Sequence, residues 1–179
     1  VYPTPIWVIG TYDKEGKPNL ATAAWVGVCC SDPPAVAVSF RKATYSHGNI
    51  MEHKAFTVNI PSEKYIKEAD YCGIVSGRQH NKFEELELRP LRSELVDAPY
   101  IKEFPIIIEC RLLDHLEIGR HTQFIGEIMD IKADKNIIGE DNFPDVKRLK
   151  PLLYSPGSRA YHGTGEYLGQ AYSIGKREK

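Results

Sequence analysis

Within six residues the chain carries Arg41, Lys42, Thr44 and Ser46, at a point where a helix is expected to begin. Positive charge, hydroxyls and unpaired helix N–H groups together are what a phosphate requires. Just upstream, Ala21 to Cys30 (ATAAWVGVCC) is small and apolar. Small residues let another flat surface approach the backbone, Trp25 can stack on an aromatic ligand, and Asn19 can hydrogen-bond a heteroaromatic edge. An uncharged wall running into an anion site suits a nucleotide-type ligand with an aromatic head. Each residue also has a plainer role: a solvated basic turn with an ordinary helix cap, a core Trp, a turn Asn after Pro18.

Two further groups could act on such a ligand. His121 follows Gly119-Arg120 and precedes a strand; it could donate to a developing anion or move a proton near neutral pH. Lys82, after Ser76-Gly77-Arg78, could stabilise a reduced, anionic ligand. A structural His and a solvated Lys are the alternatives. The six histidines form no metal-ligand set; His47 and His53 would not share a helical face well, and no metal site is expected. GxGxxG, P-loop and GxSxG patterns are absent. Cys30 lacks a CxxC partner and reads as packed rather than redox-active. Cys29, Cys30, Cys72 and Cys110 together read as buried free thiols of a reducing cytoplasm, with Cys29 and Cys30 on opposite faces of a strand.

The elements that must position these groups are mostly strands. Ile6 to Tyr12 is the first, Pro18 to Ser31 a long second with a bend near Gly27, and Ala35 to Phe40 the third. Ser46 is expected to cap a short helix through Glu52. Ala55 to Ile60 is a fourth strand, and Ser62 caps a helix ending at Gly73 or Gly77. Asn81 to Leu86 reads as a helical turn and Leu91 to Val96 as a short strand. Ile106 to Leu113 and Phe124 to Ile131 are the clearest late strands, with Asp114 to Gln123 between them. A loop over Asp134 to Asn142, a helical Asp145 to Lys150 and a Gly-rich tail with three Tyr residues follow. Six or seven strands with short links predict a mainly β fold with added helices, an antiparallel β-barrel in one domain spanning residues 1–179. The net charge of -1 argues against nucleic acid, and no apolar run would span a membrane. The chain opens on Val, which suggests that a few natural residues precede it, and its first residues do not read as a signal peptide.

The succession GTYDKEGKPNLATAAWVGVCCSDPPAVAVSFRKATYSHGNI, FTVNIPS, ADYCGIVSGRQHNKF, FPIIIEC, GRHTQFIGEI and KPLLY resembles the flavin reductase-like family, most closely its flavoredoxin-type members. The resemblance implies a Greek-key split β-barrel that binds FMN and forms a homodimer with flavin near the subunit interface. It implies that Asn19 and Trp25 line the ring, with the backbone of Thr22, Ala23 and Ala24 close to it and Cys30 and Ser31 beside it. Ser39 and Arg41 match the segment leading to the phosphate, and Ser46 a hydroxyl that binds it. Lys82 matches a flavin-contacting Lys, His121 a His beside the flavin, and Tyr154 an aromatic packing on it. Many two-component flavin reductases carry Gly-Asp-His where this chain has Gly119-Arg120-His121. Arg120 leaves FMN binding intact and questions reduction by NADH. The expectation is a cytoplasmic FMN oxidoreductase with a small-molecule or protein electron donor or acceptor. The competitors are an electron-transfer flavoprotein without NAD(P)H activity and a non-redox barrel for a phosphorylated aromatic ligand.

Overall fold

The computed structural model describes residues 3–176. After a two-residue β1 (Thr4–Pro5), β2 (Trp7–Tyr12) shows why the chain folds as it does. Side chains alternate across a strand. Trp7 and Ile9 enter one apolar cluster, Val8 and the preceding Ile6 another. In β3 (Pro18–Ala23) Ala21 and Ala23 join the first cluster and Leu20 the second. Strands buried on both faces need two covers. One comes from the sheet curling on itself, the other from helices.

The remaining strands of the main sheet are β4 (Val26–Ser31), β5 (Pro34–Arg41), β6 (Ala55–Ile60), and the long β9 (Ile106–Ile118) and β10 (His121–Ala133); the short β7 (Pro90–Arg92) and β8 (Pro99–Ile101) form a separate pair. All seven pair antiparallel in the order β3-β2-β6-β9-β10-β5-β4. The two ends of that order, β3 and β4, are consecutive in the chain with only Ala24 and Trp25 between them. The sheet therefore curls until its first and last strands meet, giving a barrel split along one seam. Phe56, Phe124, Val36 and Val38 fill it, and Ile50 of α1 (Tyr45–His53) belongs to the same cluster, so α1 plugs one end. Outside the barrel, Ala69 and Cys72 of α2 (Ile66–Ile74) and Phe83 of α3 (Lys82–Glu85) pack with Val8 and Leu20. Past α4 (Val146–Leu149), β11 (Leu153–Ser155) and β12 (Ala160–His162) join β1 in a small third sheet.

Several local expectations are corrected. The single strand from Pro18 to Ser31 is two strands at opposite ends of the sheet order, because the chain crosses the seam at Ala24-Trp25. Ser46 does not cap α1. Thr44 holds the cap position, and Ser46 is the second residue of the helix, fully buried. Ser62 likewise makes no side-chain cap; a 3₁₀ turn, Glu63–Tyr65, leads into α2. The short strand expected over Leu91 to Val96 is Pro90–Arg92. Asp114 to Gln123 is largely strand, closed by Gly119-Arg120, with Gly119 at φ +52° as the first position of a two-residue II′ hairpin demands. Cys29 and Cys30 are exposed, not buried, and a bulge leaves Cys29 without a partner on β5; Cys72 and Cys110 are buried.

Candidate ligand-binding cleft

Three segments of the fold leave a cleft of about 320 Å³ between them. One wall is β3 from Asn19 to Thr22. The second is the end of β5 and the entry to α1, from Arg41 to Ser46. The third is the end of α2 and the loop to Gly77, with Lys82 behind.

Hydrogen-bond accounting fixes Asn19. Its amide nitrogen donates to Ser46 Oγ at 2.9 Å and to Thr11 Oγ1 at 3.4 Å, and Asn49 donates to the same Thr11 oxygen at 3.1 Å. Both amide hydrogens are thus used, which turns Oδ1 the other way. That oxygen is buried and accepts nothing. Gly77 lies against it: a Cβ there would stand 1.8 Å from Oδ1. Gly77 covers this orphan acceptor, so a ligand donor reaches it only when the loop at Gly77 moves.

Lys82 is the second unmet group. It is only 3% exposed, and its ammonium donates to the carbonyls of Leu20 at 2.6 Å and Cys72 at 2.9 Å. An ammonium has three donors, so one remains. Among the described residues no carboxylate lies within ion-pair distance of it, and burial pushes its pKa down. A dry cation without a counter-ion favours an anion beside it. Cys72 is not that anion: burial pushes its thiol up to about 12. At the rim, Arg41 is exposed, and Thr44 makes no cap bond, which leaves its hydroxyl and the first turn of α1 facing the same space.

A smaller hollow of about 230 Å³ adjoins the cleft through Thr22, Gly73 and Ile74. Ala24, Tyr154 and Tyr161 wall it. The Tyr161 hydroxyl donates to Asp70 at 2.8 Å, and the two Tyr rings pack at 5.3 Å. Burial, reinforced by Asp70, raises the Tyr161 pKa and keeps its phenol protonated.

Of the residues singled out from sequence, Asn19, Thr22, Arg41, Ser46 and Lys82 meet at the cleft, and Ala24 and Tyr154 at the hollow. Ala23 faces the barrel interior. Trp25 sits in the seam, 45% exposed, its carbonyl taking the Ser39 N–H. Ser39 is half-buried on β5, and Cys30 and Ser31 are exposed at the end of β4. His121 is half-buried opposite Arg41 on the neighbouring strand and does not line the cleft. Thr11, Asn49, Gly77, Asp70 and Tyr161 were not singled out. Only the Ser-Gly-Arg segment offered a signal, since a Gly there marks close approach.

The flavin reductase like domain model matches residues 1–163. The chain belongs to the flavin reductase-like family. Flavoredoxin of Desulfovibrio vulgaris (Miyazaki F) is 50% identical, with a TM-score of 0.94 over 98% of this chain and 94% of that one. Flavoredoxin from Methanosarcina acetivorans is 33% identical, with a TM-score of 0.91 over 98% and 92%. The reductase component of the 4-nitrophenol 4-monooxygenase/4-nitrocatechol 2-monooxygenase of Rhodococcus opacus is 27% identical over 70% of this chain and 64% of its own. The split barrel expected from sequence is thus the fold of the family. No helix among the described residues is long and apolar enough to cross a membrane.

Proposed function

We propose that this member of the family is an FMN-binding oxidoreductase. The observation that carries the reading is the cleft's unmet chemistry: a buried ammonium lacking a carboxylate, bonded to the carbonyl of Leu20, and on the adjacent residue Asn19 an orphan amide oxygen. FMN offers what both lack: an anionic phosphate, a ring that becomes anionic on reduction, and ring and ribityl donors. The cleft and the adjoining hollow together give it room. Arg41, Thr44, Ser46 and the first turn of α1 would hold the phosphate. Asn19 would accept from a ligand donor, and Ala24 and Tyr154 would bound the ring. Bound FMN supplies hydride and electron transfer. Lys82 meets negative charge arriving in the cleft with a donor that needs no reorganisation. His121, paired with Arg41 on the neighbouring strand, would serve the flavin by holding or delivering a proton from outside the cleft wall.

A second reading gives the chain a protein electron donor and no NAD(P)H activity. Arg120 favours it: it sits on an exposed hairpin turn next to His121, presenting a cation to an acidic partner. The homodimer implied by the resemblance gains support from apolar side chains left in solvent on β9 and β10, among them Leu116, Ile118 and Ile131. A cytoplasmic setting agrees with four free cysteines. The test is the visible spectrum of the purified protein, then anaerobic NADH or NADPH. Flavin bands establish the cofactor; bleaching makes the chain a reductase, and no bleaching favours the protein donor. A colourless protein that FMN does not restore refutes the proposal.

A further inference from the structure

The two lips of the cleft are tied together by one side chain. Arg78, on the loop after Gly77, donates from Nη1 to the carbonyl of Ala43 at 3.0 Å. Its guanidinium lies 5.0 Å from the centroid of the Tyr45 ring, in cation–π range. Ala43 and Tyr45 belong to the α1 lip; Ser76 and Gly77 belong to the facing lip. Tyr45 is itself anchored, its hydroxyl donating to Asp13 Oδ2 at 2.9 Å. Asp13 is held by its own turn, Oδ1 accepting the N–H groups of Glu15 and Lys17, each at 2.9 Å. The anchor is rigid; Arg78 is exposed. Gly77 presses the loop onto Asn19 and Tyr45, where no side chain fits.

We infer that Arg78 is a clasp across the cleft mouth, a positioning residue that must release Tyr45 and Ala43 before a ligand enters or leaves. A guanidinium suits this task. It stacks and hydrogen-bonds at once, yet at the surface each contact is weak enough to break on the time scale of ligand exchange. Arg78 makes no contact with Asn19 or Lys82, so its role is separable from binding chemistry. The consequence for the ligand is kinetic: the clasp governs rates of entry and release more than the equilibrium between them.

The inference rests on the FMN reading for its ligand, and the experiment separates the two. Arg78→Ala and Arg78→Lys are prepared with the full chain. In the ligand-free proteins, hydrogen exchange is followed at Gln79 and His80, whose amides donate to the Ser76 carbonyl. In the FMN-loaded proteins, stopped-flow fluorescence gives the rates of release and rebinding. Expected for Arg78→Ala is faster exchange at both amides and release accelerated at least about fivefold, the combined low-end worth of one exposed cation–π contact and one surface hydrogen bond. Rebinding accelerates too, and the melting temperature of the ligand-free protein falls by no more than a few degrees. Arg78→Lys, charged but not planar, falls between. Unchanged amide exchange in Arg78→Ala overturns the clasp. So does release at the wild-type rate from a protein that binds FMN. Wild type that binds no FMN refutes the functional proposal alone, and the amide exchange still decides for or against the clasp.

Discussion

Adding one methyl group at Gly77 tests the cleft most directly. The new Cβ would stand 1.8 Å from Asn19 Oδ1, 2.7 Å from Asn19 Cγ and 3.0 Å from a Tyr45 ring carbon. Going from 1.8 Å to even the tightest tolerated 3.0 Å needs a displacement of at least about 1.2 Å. Asn19 cannot swing aside cheaply, because Ser46 and Thr11 hold its amide. The loop must move, or the network must break. Overpacking costs about 1–3 kcal/mol. Reduced freedom of the unfolded chain returns about 0.4–1 kcal/mol, since Gly77 needs no left-handed φ. Gly77→Ala should therefore lose roughly 0.5–2 kcal/mol of stability in urea unfolding and weaken FMN about two- to thirtyfold, as wall and lip separate. Asn19→Ala removes the obstructing atoms. In the double variant the two costs should fail to add by more than about 0.5 kcal/mol. Additive costs, or a Gly77→Ala protein with wild-type stability and affinity, would refute the close packing.

Ser46→Ala leaves the Asn19 amide with its longer bond to Thr11 alone, and should cost about 1–3 kcal/mol of stability by urea unfolding together with FMN retention. Trp25→Ala, at a half-exposed seam position, should lower flavin content of the purified protein with less than about 1 kcal/mol lost from the fold. Lys82→Met should weaken FMN tenfold or more in equilibrium titration, the value of about 1.5–3 kcal/mol for a charged hydrogen bond. Asp13 supplies a pH signature. Burial pushes its carboxyl up, but N–H bonds from Lys17 and Glu15 and the Tyr45 hydroxyl more than reverse this and hold it below the ordinary range. Its contribution to stability is present above about pH 3.9 and lost as pH falls through the lowered folded value. The stability gap between wild type and Asp13→Asn should thus narrow on acidification below pH 4.

Local patterns carried most of the fold. The turns at Gly16 and Pro33-Pro34, the alternation over Ala55 to Ile60 and the apolar run Ile106–Ile108 each announce their strands. What strand patterns cannot show is which strand neighbours which. Pro18 to Ser31 reads as one apolar segment because both halves are strands; only the closing of the barrel reveals a crossing at Ala24-Trp25. Cys29 and Cys30 read as buried for the same reason, since small apolar residues on an edge strand look like those in a core. At the site, Arg41, Ser46, Lys82 and Asn19 were legible by residue type. The roles of Ser46 and Lys82 were not. Ser46 lost its expected cap to Thr44 and gained a partner 27 residues away, and Lys82 is dry because α2 and β3 close over it. Tyr161 and Asp70, 91 residues apart, meet only through the third sheet.

The hairpin of β9 and β10 has a consequence of a different kind. β6 accompanies β9 only to Arg111, so from Leu113 to Ile118 one edge of β9 has no neighbour among the described residues. An open edge with Leu113, Leu116 and Ile118 on it is a template for another strand. The chain interrupts that template. Asp114, His115 and Glu117 interrupt the apolar residues, Glu117 is held by Lys42 at 2.7 Å, and a bulge at Leu113 breaks the ladder where the edge begins. These charges act as gatekeepers against open-ended stacking of chains along the bare edge. With Asp114 and Glu117 neutralised, the same ribbon would lose that protection and seed aggregation.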